Sequence, residues 1–194
     1  MNTWFTSDTH AYHKNICRGV SSWENSETRD FQNEFLMTEQ MIQNINDNVK
    51  WNDTLYHLGD WSFAGFDNIK KFRDQINCRN IHLILGNHDH HIDRNKNDIR
   101  SIFSSVNQFI SITKICGQKM SLCHFPLEIW DKHHHGTWML HGHCHGSLPT
   151  SKRKVLDVGI DCHNEFRPFH FDEIESIMKD RVIDLIDHHK EIRE

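Results

Sequence analysis

Ile81-His82-Leu83-Ile84-Leu85-Gly86-Asn87-His88-Asp89 is the stretch that decides the fold. An apolar run of strand composition stops at a glycine and then presents an amide, an imidazole and a carboxylate in succession. Three polar side chains at a strand tip must find partners or face water. The run therefore reads as a buried strand that delivers chemistry to a loop.

Working outward, two earlier segments end in the same way. Thr3 to Ser7 runs into Asp8-Thr9-His10, and Thr54 to Leu58 runs into Gly59-Asp60 after the turn at Asn52-Asp53. Between them lies a loop, Ala11 to Thr28. It is followed by an amphipathic helix over Asn33 to Val49, with Phe35, Leu36, Ile42, Ile45 and Val49 on its apolar face and Met37 and Met41 filling between. Phe66 to Ile76 repeats the helical spacing with Phe66, Ile69, Phe72 and Ile76. Helices that connect apolar strands predict right-handed crossovers and a parallel sheet, whose sites lie beyond the carboxyl ends of the strands.

Toward the C-terminus, Ile92 to Phe103 reads as polar and partly helical, with His90 and His91 exposed at its start. Phe109 to Ile115 and Lys119 to Cys123 flank Cys116-Gly117-Gln118 and predict an antiparallel hairpin whose second arm ends at His124. Thr137 to Leu140 is a short strand followed by His141-Gly142-His143-Cys144-His145-Gly146. Val155 to Ile160 is a last strand and Asp172 to Ile186 a helix. The chain reads as one domain over 1–194, with 172–194 as a C-terminal helical segment.

Composition bounds the function. The 194 residues are 37% hydrophobic and 25% charged, and no apolar stretch approaches the roughly 18 to 20 residues that span a bilayer. The start of the chain shows no secretory pattern, so a cytoplasmic protein is expected. Six scattered cysteines without a Cys-x-x-Cys pair read as reduced thiols. A net charge of −5 argues against a broad footprint on duplex nucleic acid, whereas 18 histidines raise the expectation of bound metal.

The strand tips together offer Asp8, His10, Asp60, Asn87, His88, His124, His143 and His145. In an extended segment residues i and i+2 point the same way, so Asp8/His10 and His143/His145 can each close on one point. Cys144 then points to the opposite face, as packing, and His141 reads either as a support for the ligands or as core. Carboxylate, imidazole and amide donors without thiolate suit Mn²⁺, Fe²⁺ or Zn²⁺ rather than a structural zinc knot.

Asp-x-His, Gly-Asp, Gly-Asn-His-Asp, a lone His after a strand and Gly-His-x-His, in that order from Asp8 to His145, resemble the calcineurin-like metallophosphoesterase superfamily. Trp4 to His13, Leu55 to Asp60 and Leu140 to Gly146 further resemble a compact subgroup of bacteria and phages. The resemblance implies an α/β fold of two facing mixed β-sheets flanked by helices, a four-layer sandwich. It implies two divalent ions, manganese first, with iron, zinc or nickel as alternatives. Asp8, His10 and His145 would hold one ion, Asn87, His124 and His143 the other, and Asp60 would bridge. A hydroxide shared by the ions would attack phosphorus in line, with His88 as the catalytic histidine.

Asp89 has two readings, a partner that orients His88 or a helix N-cap. His13, Arg29 and His134 are candidate substrate contacts. The function expected is a dinuclear-metal phosphoesterase that prefers phosphodiesters, including nucleotides or single-stranded nucleic acid ends. The alternatives are a phosphomonoesterase and a catalytically silent metal-binding scaffold. No membrane and no obligate protein partner are expected.

Overall fold

Strand β1 (Thr3–Thr6) sends Trp4 to one face and Phe5 to the other, and each enters a different hydrophobic core. That alternation, intrinsic to extended backbone, lays out the molecule. The computed structural model of the chain describes residues 1–17, 26–95, 98, 102–149 and 152–184.

Strands β2 (Thr54–His57), β3 (Asn80–Ile84) and β4 (Ser105–Asn107) follow β1 in parallel. The second sheet contains β5 (Phe109–Ile115), β6 (Gln118–Cys123), β7 (Trp138–His141) and β8 (Val155–Asp157). Its β5–β6 hairpin is antiparallel and its other pairs are parallel. A final short strand, β9 (Phe169–His170), returns antiparallel to β1. The sheet orders are β4-β3-β2-β1-β9 and β5-β6-β7-β8. The fold is α/β, with two mixed β-sheets flanked by helices.

The register places Trp4, Leu55 and Ile81 side by side on the outer face of the first sheet. There they meet Met37, Met41 and Ile45 of α1 (Glu34–Asn48) and Ile69 and Phe72 of α2 (Phe66–Gln75). Asn33 starts α1 by accepting hydrogen bonds from the backbone N–H groups of Phe35 and Leu36, both at 3.0 Å. Phe35 and Leu36 themselves lie exposed, so the buried stripe is the methionine side of the helix. A one-turn helix, α3 (His90–Arg94), follows β3 and anchors on Ile92. The inner core joins Phe5, Leu58 and Ile84 to Met120, Leu122 and Leu140, and α4 (Phe171–Lys179) adds Phe171, Ile174 and Met178.

Several boundaries differ from the expectation. β4 and β9, three and two residues long, carry too little alternation to be read. The strand expected over Val155 to Ile160 stops at Asp157, and a 3-10 turn covers Ile160–Cys162. The last helix stops at Lys179 rather than Ile186, because the Val182 N–H pairs with Lys152 O at 2.8 Å and Arg153 bridges Val182. Parts of the expected loop (18–25), of the Ile92 to Phe103 segment and of the C-terminal segment (185–194) lie outside the described residues.

Candidate metal centre

The loops after β1, β2 and β3 meet the loops after β6 and β7, and two groups of donors form at the seam. Asp8, His10 and His145 each place one ligand atom within 4.8 Å of the others, and Asp60, His124 and His143 do the same. Asn87 joins the second group, its Oδ1 3.0 Å from His124 Nε2 and 3.1 Å from His143 Nδ1. Asp60 stands between the groups, with Oδ2 3.4 Å from Nε2 of both His10 and His124.

The convergence does not come from extended backbone. Asp8, His10, Asp60, His143 and His145 all have positive φ, between 44° and 71°. The β1–β2 ladder nonetheless continues past the strand ends, through Asp8 N to Gly59 O and His10 N to Asp60 O, both 2.9 Å. Alternating left-handed residues thus aim the donors, a conformation that Asp and His tolerate better than most residues. Two glycines are required by crowding. A Cβ on Gly86 would overlap the Asp60 carboxylate, and a Cβ on Gly142 would overlap Ser7 Oγ and Asp8 Oδ2. Gly86 therefore serves close approach, since its φ is not positive.

The donor chemistry fits a cation. Asp8 Oδ2 accepts from Ser7 Oγ (2.6 Å) and His143 N (2.9 Å), while Asp8 Oδ1 is buried without a hydrogen-bond donor. That oxygen lies 3.9 Å from Nε2 of both His10 and His145. Burial pushes the Asp8 carboxyl up to about 7. His124 donates Nδ1–H to Leu58 O at 2.8 Å, and His145 gives its Nδ1 to Asp161 Oδ2 at 2.6 Å. Both rings therefore turn Nε2 to the site, the usual arrangement of a metal-binding imidazole. Burial opposes charging His124, but its hydrogen bond to Asp60 and the charges of Asp8 and Asp60 raise it to about 9. The pocket draws positive charge.

No family model matches the chain. The uncharacterized protein MJ1445 of Methanocaldococcus jannaschii is 27% identical over 181 residues, 89% of each chain. The protein of unknown function AQ665 from Aquifex aeolicus superposes with a TM-score of 0.68 at 23% identity, over 91% of this chain and 98% of that one. This chain shares its fold. A novel archaeal phosphodiesterase superposes with a TM-score of 0.48 at 21% identity, over 82% and 84% of the two chains.

The remaining expected site residues are placed differently from one another. His88 is half-buried, its ring 5.2 Å from that of His10, and its backbone N–H donates to Asp60 Oδ1 at 2.8 Å. His13 stacks on Phe63 with ring centroids 3.7 Å apart, 6.0 Å from the His88 ring. Burial and the neighbouring His88 lower His13 to about 4, so the ring is neutral near pH 7.

Asp89 stands at the N-cap position of α3, one of its two expected readings, but its side chain is engaged elsewhere. Its carboxylate is buried and accepts from the N–H groups of Asp60 (2.8 Å), Gly86 (2.8 Å) and Trp61 (3.0 Å), which clamps the β2 loop to the β3 loop. It occupies the N-cap position of α3 without a capping hydrogen bond. Burial raises it to about 6 against those three N–H donors.

Arg29 is not presented to the open side of the site. It is fully buried, with Nε on Asp161 Oδ2 at 2.8 Å, Nη2 on Asp8 O at 2.5 Å and Nη1 on Thr9 O at 3.5 Å. His134 is also not brought there. It sits in a 3-10 turn (His133–His135) before the start of β7, whereas the ligands follow the end of that strand.

Sequence reasoning missed Asp161, which holds both His145 and Arg29, and His57, whose Nε2 lies 2.9 Å from Thr9 Oγ1 under the site. Asp161 directly follows the expected strand Val155 to Ile160, and Asp161-Cys162-His163 repeats the Asp-x-His spacing of Asp8 and His10, the signal that could have found it.

Proposed function

We propose that the chain is a metal-dependent phosphoesterase of the calcineurin-like type, acting on phosphodiesters in preference to monoesters. The observation that carries this reading is the convergence of seven donors from five strand tips into two groups joined at Asp60. Two divalent cations held there, by Asp8, His10 and His145 and by Asn87, His124 and His143 with Asp60 between, would supply a nucleophile at neutral pH and charge neutralisation for phosphoryl oxygens.

The chain's own residues do the rest. Asp161 fixes the His145 ring, and the Leu58 carbonyl fixes that of His124. Asp89 locks the backbone on either side of Asp60, so the shared carboxylate is held from behind. His88, tethered to Asp60 through its N–H and half-open to solvent, would steady the phosphoryl group or protonate the departing oxygen. His13, held flat against Phe63, forms the adjoining wall.

The diester preference is supported by a cavity of about 440 Å³ that starts at Asn87 and His124 and is walled by Phe109 and Phe125. It provides room for a second ester substituent, and its exposed aromatic walls suit a planar group such as a nucleobase.

Two measurements test the reading together. His88→Ala is expected to keep its metal and to lose turnover by roughly 10² to 10⁴-fold, the range for a general acid. Wild-type protein is expected to hydrolyse a bis-aryl phosphate faster than a mono-aryl phosphate. Metal binding without turnover on either ester would leave a scaffold, and a large excess of monoester activity would reassign the chain as a phosphatase.

A further inference from the structure

Apart from the two groups at the seam, a third set of donors gathers where β7 and β8 end. His141, Cys144 and Asp157 place one ligand atom each within 4.8 Å of one another. Cys162 stands beside this set, outside that spacing: it lines one cavity with His141 and Asp157, and its sulfur and Asp157 Oδ1 both flank Gly159. None of the four belongs to the site described above.

We propose that His141, Cys144, Asp157 and Cys162 form a separate site for a thiophilic divalent cation such as Zn²⁺. The tautomer of His141 suits this role. Its Nδ1 faces Gly142 O at 2.8 Å, and because a carbonyl only accepts, Nδ1 carries the proton and Nε2 keeps its lone pair. Asp157 accepts from Gly146 N (3.1 Å) and Gly159 N (2.9 Å), one bond to each oxygen, which leaves each oxygen a second acceptor direction.

The spacing is close to what an ion needs. Tetrahedral Zn–N and Zn–S bonds of about 2.0 and 2.3 Å put donors roughly 3.3 to 3.8 Å apart, so His141, Cys144 and Asp157, now within 4.8 Å of one another, draw together by up to about 1 Å around an ion, and the Cys162 sulfur moves in as the fourth donor. Two thiolates, an imidazole and a carboxylate select a softer ion than the thiolate-free groups at the seam. Coordination releases the thiol protons to solvent, and a cavity of about 500 Å³ lined by His141, Asp157 and Cys162 gives ion and protons a path.

Packing alone accounts for half-buried cysteines and a buried histidine, but it does not require their donor atoms to converge. The location gives the site a task. Cys144 lies between His143 and His145, and Cys162 follows Asp161, the carboxylate that holds His145. An ion here braces both partners of the His145–Asp161 hydrogen bond.

Full-length protein stripped with a chelator and loaded with Mn²⁺ is titrated with Co²⁺, which reports thiolate ligation through sulfur-to-metal charge-transfer absorption. The expected result is a band that saturates at one equivalent and persists in His124→Ala, which damages only the seam, and in Cys116→Ser. It is lost in the Cys144→Ser/Cys162→Ser double variant. In His141→Gln, which keeps both thiols, the band moves and Co²⁺ affinity falls at least about tenfold. Absence of the band in wild-type protein, its survival in the double variant, or an unchanged titration in His141→Gln overturns the proposal. Because the readout needs no hydrolysis, it stands or falls apart from the phosphoesterase reading.

Discussion

Asp161→Asn probes the wiring beneath the candidate metal centre. Asp161 Oδ2 is shared by Arg29 Nε at 2.8 Å and His145 Nδ1 at 2.6 Å, and the side chains of Asp161 and Arg29 are 1% and 0% exposed. Removing the negative charge leaves the guanidinium buried with, among the described residues, the carbonyls of Asp8 and Thr9, the Met37 sulfur and the face of the Phe166 ring as partners. Breaking a buried ion pair at one end costs about 3 to 5 kcal/mol. Asparagine keeps an acceptor that satisfies one of the two donors, so about 3 kcal/mol is the working figure. At about 2 to 4 °C per kcal/mol for a chain of this size, Tm should fall by roughly 6 to 12 °C. The released His145 ring should also weaken the metal by about 10 to 100-fold. Melting curves in chelator isolate the first effect, and competition with a metal-binding dye measures the second. A Tm within about 2 °C of wild type together with unchanged affinity would refute the wiring. An Arg29→Met/Asp161→Leu variant separates the effects, because apolar replacement of a buried pair restores stability but leaves His145 unanchored.

Other perturbations follow from the same geometry. Gly142→Ala forces a Cβ into Ser7 and Asp8, and should cost about 1 to 3 kcal/mol in urea unfolding while lowering metal affinity. Phe125→Ala, whose ring lies 4.7 Å from His143 and walls the neighbouring cavity, should raise KM for a nucleotide diester several-fold and leave KM for a small monoester unchanged. Equal effects on both esters would place the second substituent elsewhere. Glu173 is lowered from 4.5 to about 2, first by its hydrogen bonds from Arg167, at 2.6 and 3.0 Å. A depressed carboxyl contributes stability that is full above about pH 4.5 and lost as pH falls toward 2. Tm of Glu173→Gln should therefore lie below wild type at pH 6 and converge on it near pH 2, and a constant gap would exclude this linkage.

What could be read from residues alone was set by how local the signal is. Strand tips that end in Asp-x-His or Gly-Asn-His-Asp stand out because polar side chains interrupt apolar runs, so all seven donors were visible along with the order of strands and helices. Period-two logic supplied the right pairs, but the backbone reaches them through left-handed residues at Asp8, His10, His143 and His145. The supports were hidden by distance along the chain, since Asp161 meets Arg29 across 132 positions and His57 meets Thr9 across 48. Arg29 shows the limit most clearly. A cation near a suspected phosphate site invites a substrate role, and only three-dimensional packing reveals that it is buried and already paired.

The division of the donors between the two sheets has a mechanical consequence. Asp8, His10, Asp60 and Asn87 hang from the first sheet, while His124, His143 and His145 hang from the second, and each group mixes donors from both. The centre is thus a rivet through the sandwich. A small slip of one sheet over the other would scatter both groups while every strand ladder stayed intact. On heating, loss of the site should therefore precede loss of secondary structure, and an ion that bridges the seam should hold the sheets together as much as it serves any reaction.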